Sequence, residues 1–170
     1  MTTSITPSLA STDNPPNVSM AVIYHSNYGH TRRVAEAIVM GARQQLPDAQ
    51  AKAVDVHDVD WEFLDQADLL VFGSAVYMGS VTAGFKTFMD ETSKRWYHRK
   101  WEGKWAAGFA NSGGLSGDKL AVLQQICLYT MQHGMNWIGL PLMPTGHEAH
   151  DLNRLSSFLG LMTQSLDGPP

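Results

Sequence analysis

The chain has 170 residues, a length that suits one domain with a full core. Hydrophobic residues make up 44%, so a disordered polymer is excluded; charged residues are only 16%, which leaves much of the surface to be covered by a subunit or a ligand. The net charge of −4 argues against a nucleic-acid binder, which usually needs a basic face, and less firmly against a carrier that docks through a strongly acidic surface.

Residues 1–17 are rich in Ser, Thr, Pro and Asn, which predicts a flexible tail ahead of one domain over 18–166. No basic segment leads into an apolar one, and no apolar run approaches the roughly 18 residues of a membrane span, so a cytoplasmic protein is expected. Cys127 is the one cysteine, so neither an internal disulfide nor a thiolate zinc site is available.

From residue 18 the pattern alternates. Residues 18–24 form an apolar run typical of a buried strand. Residues 31–46 follow as a helix, with Val34, Ala35, Ile38, Val39 and Ala42 on one face, Thr31 as its cap and Pro47 past its end. A weak strand is expected over 51–56, a short helix over 61–67, a clear strand over 68–73 and a helix over 83–93. Residues 105–110 make a fourth strand, 118–133 a helix and 135–140 a fifth strand. Leu152, Leu155, Leu159, Met162 and Leu166 mark a C-terminal helix.

Strands alternating with helices predict an α/β domain with a doubly wound, five-stranded parallel sheet, order 2-1-3-4-5, and helices on both faces. Ligands of such sheets bind beyond the carboxyl ends of the strands, so the loops after strands one, three and four are the candidates.

The first loop is Ser26, Asn27, Tyr28, Gly29, His30 and Thr31, running into a helix N-terminus. Orphan N–H groups and the helix dipole there suit a phosphate, and without GxxxxGK[ST] or GxGxxG a monophosphate fits better than a nucleoside triphosphate or a dinucleotide. A capped polar turn is the ordinary alternative. The second loop is Ser74, Ala75, Val76, Tyr77, Met78 and Gly79. Tyr77 there either stacks on a flat ligand ring or packs over the sheet end. The third holds Asn111, Ser112, Gly113, Gly114 and Gly117; its glycines let backbone N–H groups approach the carbonyl oxygens of a heterocycle, or simply make the loop flexible. Three ordinary features falling where the fold expects one ligand are stronger together than apart.

Tyr24-His25-Ser26-Asn27-Tyr28-Gly29-His30-Thr31, Phe72-Gly73-Ser74-Ala75-Val76-Tyr77-Met78-Gly79, the third loop and His133-Gly134-Met135 resemble the flavodoxin-like FMN proteins. The nearest branch is the tryptophan-repressor-binding-protein family of NAD(P)H:quinone oxidoreductases. The resemblance implies FMN as cofactor, NAD(P)H as reductant, a quinone or similar small acceptor, and a homo-oligomer whose sites neighbouring subunits complete. It implies that Ser26, Tyr28, Gly29, His30 and Thr31 hold the phosphate and that Ala75, Val76, Tyr77, Met78 and Gly79 line the ring and ribityl chain. Ser112, Gly113, Gly114 and Gly117 would meet the far edge of the ring. His133 matches a histidine near the flavin, a catalytic candidate, and Trp96 a tryptophan at the substrate mouth. Departures from the family are a short segment between strands two and three, a short one after strand five, and Ser74 where Thr-Pro is usual. An electron carrier and a flavin-free regulatory module are the alternatives on the same fold.

Residues 94–104 interleave Lys94, Arg95, Arg99, Lys100 and Lys104 with Trp96, Tyr97 and Trp101, either a ligand-binding stretch or an aromatic-anchored connection. His147 and His150 lack the spacing of a metalloprotease HExxH, and no GxSxG elbow is present.

Overall fold

The protein is described by a computed structural model over residues 18–170; the tail expected over 1–17 lies outside the described residues. β1 (Ser19–His25) is apolar along nearly its whole length because both its faces are covered. It pairs in parallel with β2 (Gln50–Asp55) and with β3 (Leu69–Tyr77), and β3 pairs in parallel with β5 (Trp105–Ser112). β6 (Asn136–Trp137) completes the order β2-β1-β3-β5-β6, the doubly wound order that the alternation predicts.

Strand residues alternate between two cores. Met20, Val22, Tyr24, Val71 and Phe109 pack under Ala35 and Val39 of α1 (His30–Gln45). Ala21, Ile23, Leu70 and Phe72 face the other way. They meet Phe63 and Leu64 of α2 (Trp61–Gln66), Phe85 and Phe88 of α3 (Ala83–Glu91), and Leu123 and Ile126 of α5 (Lys119–Gln132). Asp60 caps α2 by accepting from the Phe63 N–H, and Thr82 caps α3 by accepting from the Phe85 N–H.

Five boundaries differ from expectation, and the sheet holds seven strands rather than five; the strand expected over 135–140 is only the two residues of β6. β3 runs four residues further, because its pairing with β1 and β5 continues to His25–Ser74 and Ala75–Asn111. It then turns through Met78 and Gly79, with φ 50° and 74°, into the short antiparallel β4 (Ser80–Val81); two positive φ values in a two-residue turn match the strand twist. The helix expected over 83–93 breaks at Thr92, and α4 (Ser93–Tyr97) follows. The C-terminal helix is absent. β6 pairs only with Trp105 and Ala106, so the upper half of β5 needs another partner for its backbone. β7 (Leu161–Gln164) supplies it in parallel against Phe109–Ser112. Positive φ at Asn153 (45°) and Ser156 (53°) stops a helix upstream of it. α1 begins after Gly29 rather than at a threonine cap, and no side chain caps it.

The basic-aromatic stretch is scaffold. Trp101 is fully buried and its Nε1–H donates to Asp65 Oδ1 at 2.9 Å. Arg95 Nε donates to the same oxygen at 2.9 Å while its guanidinium lies 4.0 Å above the Trp61 ring. Arg99 pairs with Glu102, and Lys104 Nζ donates to the Ala67 carbonyl. Among the described residues no helix is long and apolar enough to cross a membrane.

Gly73 and Phe109 are register partners in the sheet centre, and a Cβ on Gly73 would sit 1.9 Å from the Phe109 ring. Gly73→Ala is expected to cost roughly 1–3 kcal/mol in urea unfolding. Trimming the ring with Phe109→Leu should recover part of that loss; strictly additive losses in the double variant would refute the overpacking.

Candidate functional site

β1, β3 and β5 run in parallel and end on the same edge of the sheet, so the chain after each of them meets the others there. After β1, Ser26 Oγ accepts from the Gly29 N–H at 3.0 Å, and Gly29 sits at φ 90°. That closes a tight turn at the head of α1. Among the described residues, the N–H groups of His30, Thr31 and Arg32 donate to no protein acceptor, and the first return bond is Arg33 N–H to Gly29 O. Free donors and the dipole of a 16-residue helix thus point at one place. His30 Nε2 is buried there without a partner. Asn27 and Tyr28 form the exposed crown of the loop, and Thr31 is buried behind it.

A cleft of about 400 Å³ lies between this loop and the other two. Its walls include Tyr28, His30, Ala75, Val76, Tyr77, Asn111, Ser112 and Gly113. Residues 165–168, just past β7, form a further wall. Nothing in the sequence pointed to that wall, because its chain reads as helix. Pro170 reaches the first loop, where a Cβ on Gly29 would lie 2.7 Å from its ring.

Other expected contacts stand apart from the cleft. Ser74 is fully buried, and its hydroxyl is committed to the Ala75 carbonyl and the Thr82 N–H, so it positions α3 instead of a ligand. Met78 and Gly79 build the β3–β4 turn, with Met78 wholly exposed. Gly114 and Gly117 lie in the third loop behind Gly113. A Cβ on Gly117 would sit 2.0 Å from Ser112 Oγ, so the loop closes only with glycine there.

His133 and Trp96 are brought together, but not to this cleft. Both line a separate cavity of about 460 Å³ between α3, α4 and α5. His133 follows α5, whose 14 residues run away from the third loop for about 20 Å. Its own surroundings are closed. Thr92 Oγ1 donates to the Met89 carbonyl and accepts from the Tyr129 hydroxyl. The His133 Nε2–H therefore donates to Thr92 Oγ1, at 3.0 Å, and Nδ1 is left buried and unpartnered. Burial, with Arg99 adding repulsion, pushes the imidazole down to about 4. It is neutral at pH 7 and is no proton donor to the cleft of its own chain.

The geometry is matched by known proteins. Residues 61–148 match the family model described as NADPH-dependent FMN reductase. Flavodoxin FldP of Pseudomonas aeruginosa is 40% identical over 147 residues, 85% of this chain and 79% of that protein. An NAD(P)H dehydrogenase (quinone) of Paraburkholderia phymatum is 30% identical over 148 residues, 74% of this chain and 72% of that one. The crystal structure described as the flavodoxin, WrbA-like protein from Agrobacterium tumefaciens superimposes with a TM-score of 0.69 at 38% identity, over 87% of this chain and 83% of that chain. This chain belongs to the NADPH-dependent FMN reductase family.

The cofactor of this flavodoxin-like oxidoreductase is FMN, and the family description supports NAD(P)H as reductant. The cleft fits FMN. The free N–H groups at the head of α1 and the orphaned His30 Nε2 would hold the phosphate. Tyr77 and Tyr28 would flank the ring, and Ser112 and Gly113 would lie at its edge. Among the described residues no cluster of His, Cys, Asp and Glu could hold a metal ion.

Two outcomes are expected. Ser26→Ala frees the Gly29 N–H and loosens the phosphate turn, weakening FMN about fivefold while leaving riboflavin unchanged, as read by flavin fluorescence quenching. An equal loss for both ligands would refute the assignment of this loop to the phosphate. For His133, the unfolded chain takes its proton near pH 6.5 and the folded chain only near 4. Stability therefore falls as pH drops through that window, by at most about 3 kcal/mol. His133→Gln should flatten that stretch of the pH–stability curve.

Proposed function

We propose that this family member is a cytoplasmic enzyme that passes electrons from NAD(P)H through FMN to a quinone or a similar small acceptor. The observation that carries this reading is the cleft's open aromatic side. Tyr77 is 39% and Tyr28 72% exposed, so a small flat molecule can reach and stack beside a ring held between the loops. The family description and the quinone dehydrogenases among the relatives support it.

Bound FMN supplies hydride and electron transfer; the chain's residues bind and orient it. Ser26, Asn27, Tyr28, Gly29, His30 and Thr31 hold the phosphate by backbone N–H groups and the His30 imidazole. Ala75, Val76 and Tyr77 flank the ring, with Met78 and Gly79 fixing the turn that carries Tyr77. Asn111 anchors this corner, its Oδ1 accepting from the hydroxyls of Thr163 and Ser165. Ser112 and Gly113 lie along the far edge of the ring, where negative charge develops on reduction, and Gly114 and Gly117 shape the loop behind them. Trp96 and His133 serve a flavin only across a subunit contact, so their proposed place is the mouth of a neighbour's site in a homo-oligomer.

A second reading, an electron carrier between redox proteins, is favoured by the name of the 40%-identical relative, Flavodoxin FldP. Anaerobic mixing of the holoprotein with NADPH or NADH separates the two. The enzyme reading expects direct bleaching of the flavin absorbance in one two-electron step and its recovery on adding benzoquinone. A flavin untouched by either nucleotide, but reduced by dithionite one electron at a time, would establish the carrier.

A further inference from the structure

Lys119 is the first residue of α5 and is fully buried, yet it has no carboxylate partner among the described residues. A buried lysine without a counter-ion is rare, since desolvating the ammonium is costly unless every N–H is satisfied. Here all three are. Lys119 Nζ donates to Ser112 Oγ at 2.8 Å, to the Gly114 carbonyl at 2.8 Å and to the Leu115 carbonyl at 2.9 Å. Ser112 Oγ passes its own proton to the Gly114 carbonyl at 3.0 Å. The ammonium is thus the centre around which the third cleft loop is wound.

The winding has a consequence for the outer side of the loop. A trans peptide points its N–H opposite its carbonyl. Drawing the Gly114 and Leu115 carbonyls inward turns the N–H groups of Leu115 and Ser116 outward. Among the described residues, no N–H group from residue 113 to residue 118 donates to a protein acceptor. Carbonyl oxygens on the inside and free donors on the outside wind the loop around a fixed positive charge, whose bond to Ser112 sets it beside the Ser112–Gly113 wall of the cleft. Burial, together with repulsion from Arg154, holds the ammonium below the ordinary lysine range.

We infer that Lys119 is a positioning residue for the flavin: it holds Ser112 and the loop at the cleft wall and sets a buried positive charge behind that wall, favouring the reduced, negatively charged cofactor over the oxidised one. The inference rests on FMN occupying the cleft, and it deepens the reading above by assigning to one side chain the bias toward two-electron reduction.

The test compares wild type, Lys119→Met, Lys119→Gln and Lys119→Arg as FMN-loaded proteins. Affinity for oxidised FMN is read by fluorescence quenching, and the two-electron midpoint potential by redox titration. In Lys119→Met, affinity for reduced FMN should fall at least tenfold more than affinity for oxidised FMN, which lowers the midpoint by about 30 mV or more. Lys119→Arg, which keeps the charge, should keep most of the wild-type potential. Lys119→Gln covers the case in which the methionine variant does not fold, because it keeps a polar head with two N–H donors while removing the charge; it should lower the midpoint in the same direction. A midpoint unmoved in a folded, FMN-loaded Lys119→Gln or Lys119→Met protein overturns the inference and leaves Lys119 a loop brace. Failure of the wild type to bind FMN would instead overturn the cofactor assignment, and this inference with it.

Discussion

Parallel pairing of β1, β3 and β5 is the constraint from which the site follows. A parallel sheet places all strand ends of one kind on one edge, and the right-handed crossovers put the connecting helices on either face. His25 pairs with Ser74, and Ala75 with Asn111, so the three chain exits lie on one edge of the sheet, β3 running three residues past the end of β1. Each exit then solves a local backbone problem differently. The first enters a helix without a side-chain cap, the second folds into a two-residue turn, and the third winds around an ammonium. All three solutions leave N–H groups or aromatic faces toward the same cleft.

The buried polar groups divide by end of the sheet. At the carboxyl edge, His30 Nε2 and the donors of the first and third loops stay unpaired, which a folded protein tolerates where a ligand or water meets them. At the opposite end, polar groups are satisfied by one another. Asp65 receives both Trp101 and Arg95, and Thr92 joins Tyr129 to His133. His133 Nδ1 is the exception, and burial, with repulsion from Arg99, is why the ring resists protonation. The distribution separates a scaffold that is closed from a site that is left open.

Hydrophobic periodicity, glycine placement and cap residues made much of this legible before any coordinates. Buried strands such as β1 and β3 are continuous apolar runs, and their alternation with helical stretches determined the doubly wound order. The loop from Ser26 to Thr31 and the glycines 113, 114 and 117 were recognisable because their chemistry is local: a turn into a helix and a close backbone approach are written in a few adjacent residues. The periodicity misled at the C-terminus. Leu155, Leu159 and Met162 fit a helical stripe, but the unpaired upper half of β5 recruited Leu161–Gln164 as a strand. That demand belongs to a strand about fifty residues earlier and leaves no local trace.

The sequence alone therefore determined the fold class, the strand order, the edge at which the loops gather and the chemistry of a phosphate-binding turn, because each depends on short-range patterns. Tertiary structure alone decided which residues meet. It removed Ser74 from the ligand by burying its hydroxyl beneath α3, and it placed Trp96 and His133 together at the far end of the sheet. It also turned the basic-aromatic stretch into packing and put Lys119, an unremarkable lysine at the start of a helix, under the third loop. Each of these is a question of long-range contact, set by how the elements pack and by which buried backbone groups still require a partner.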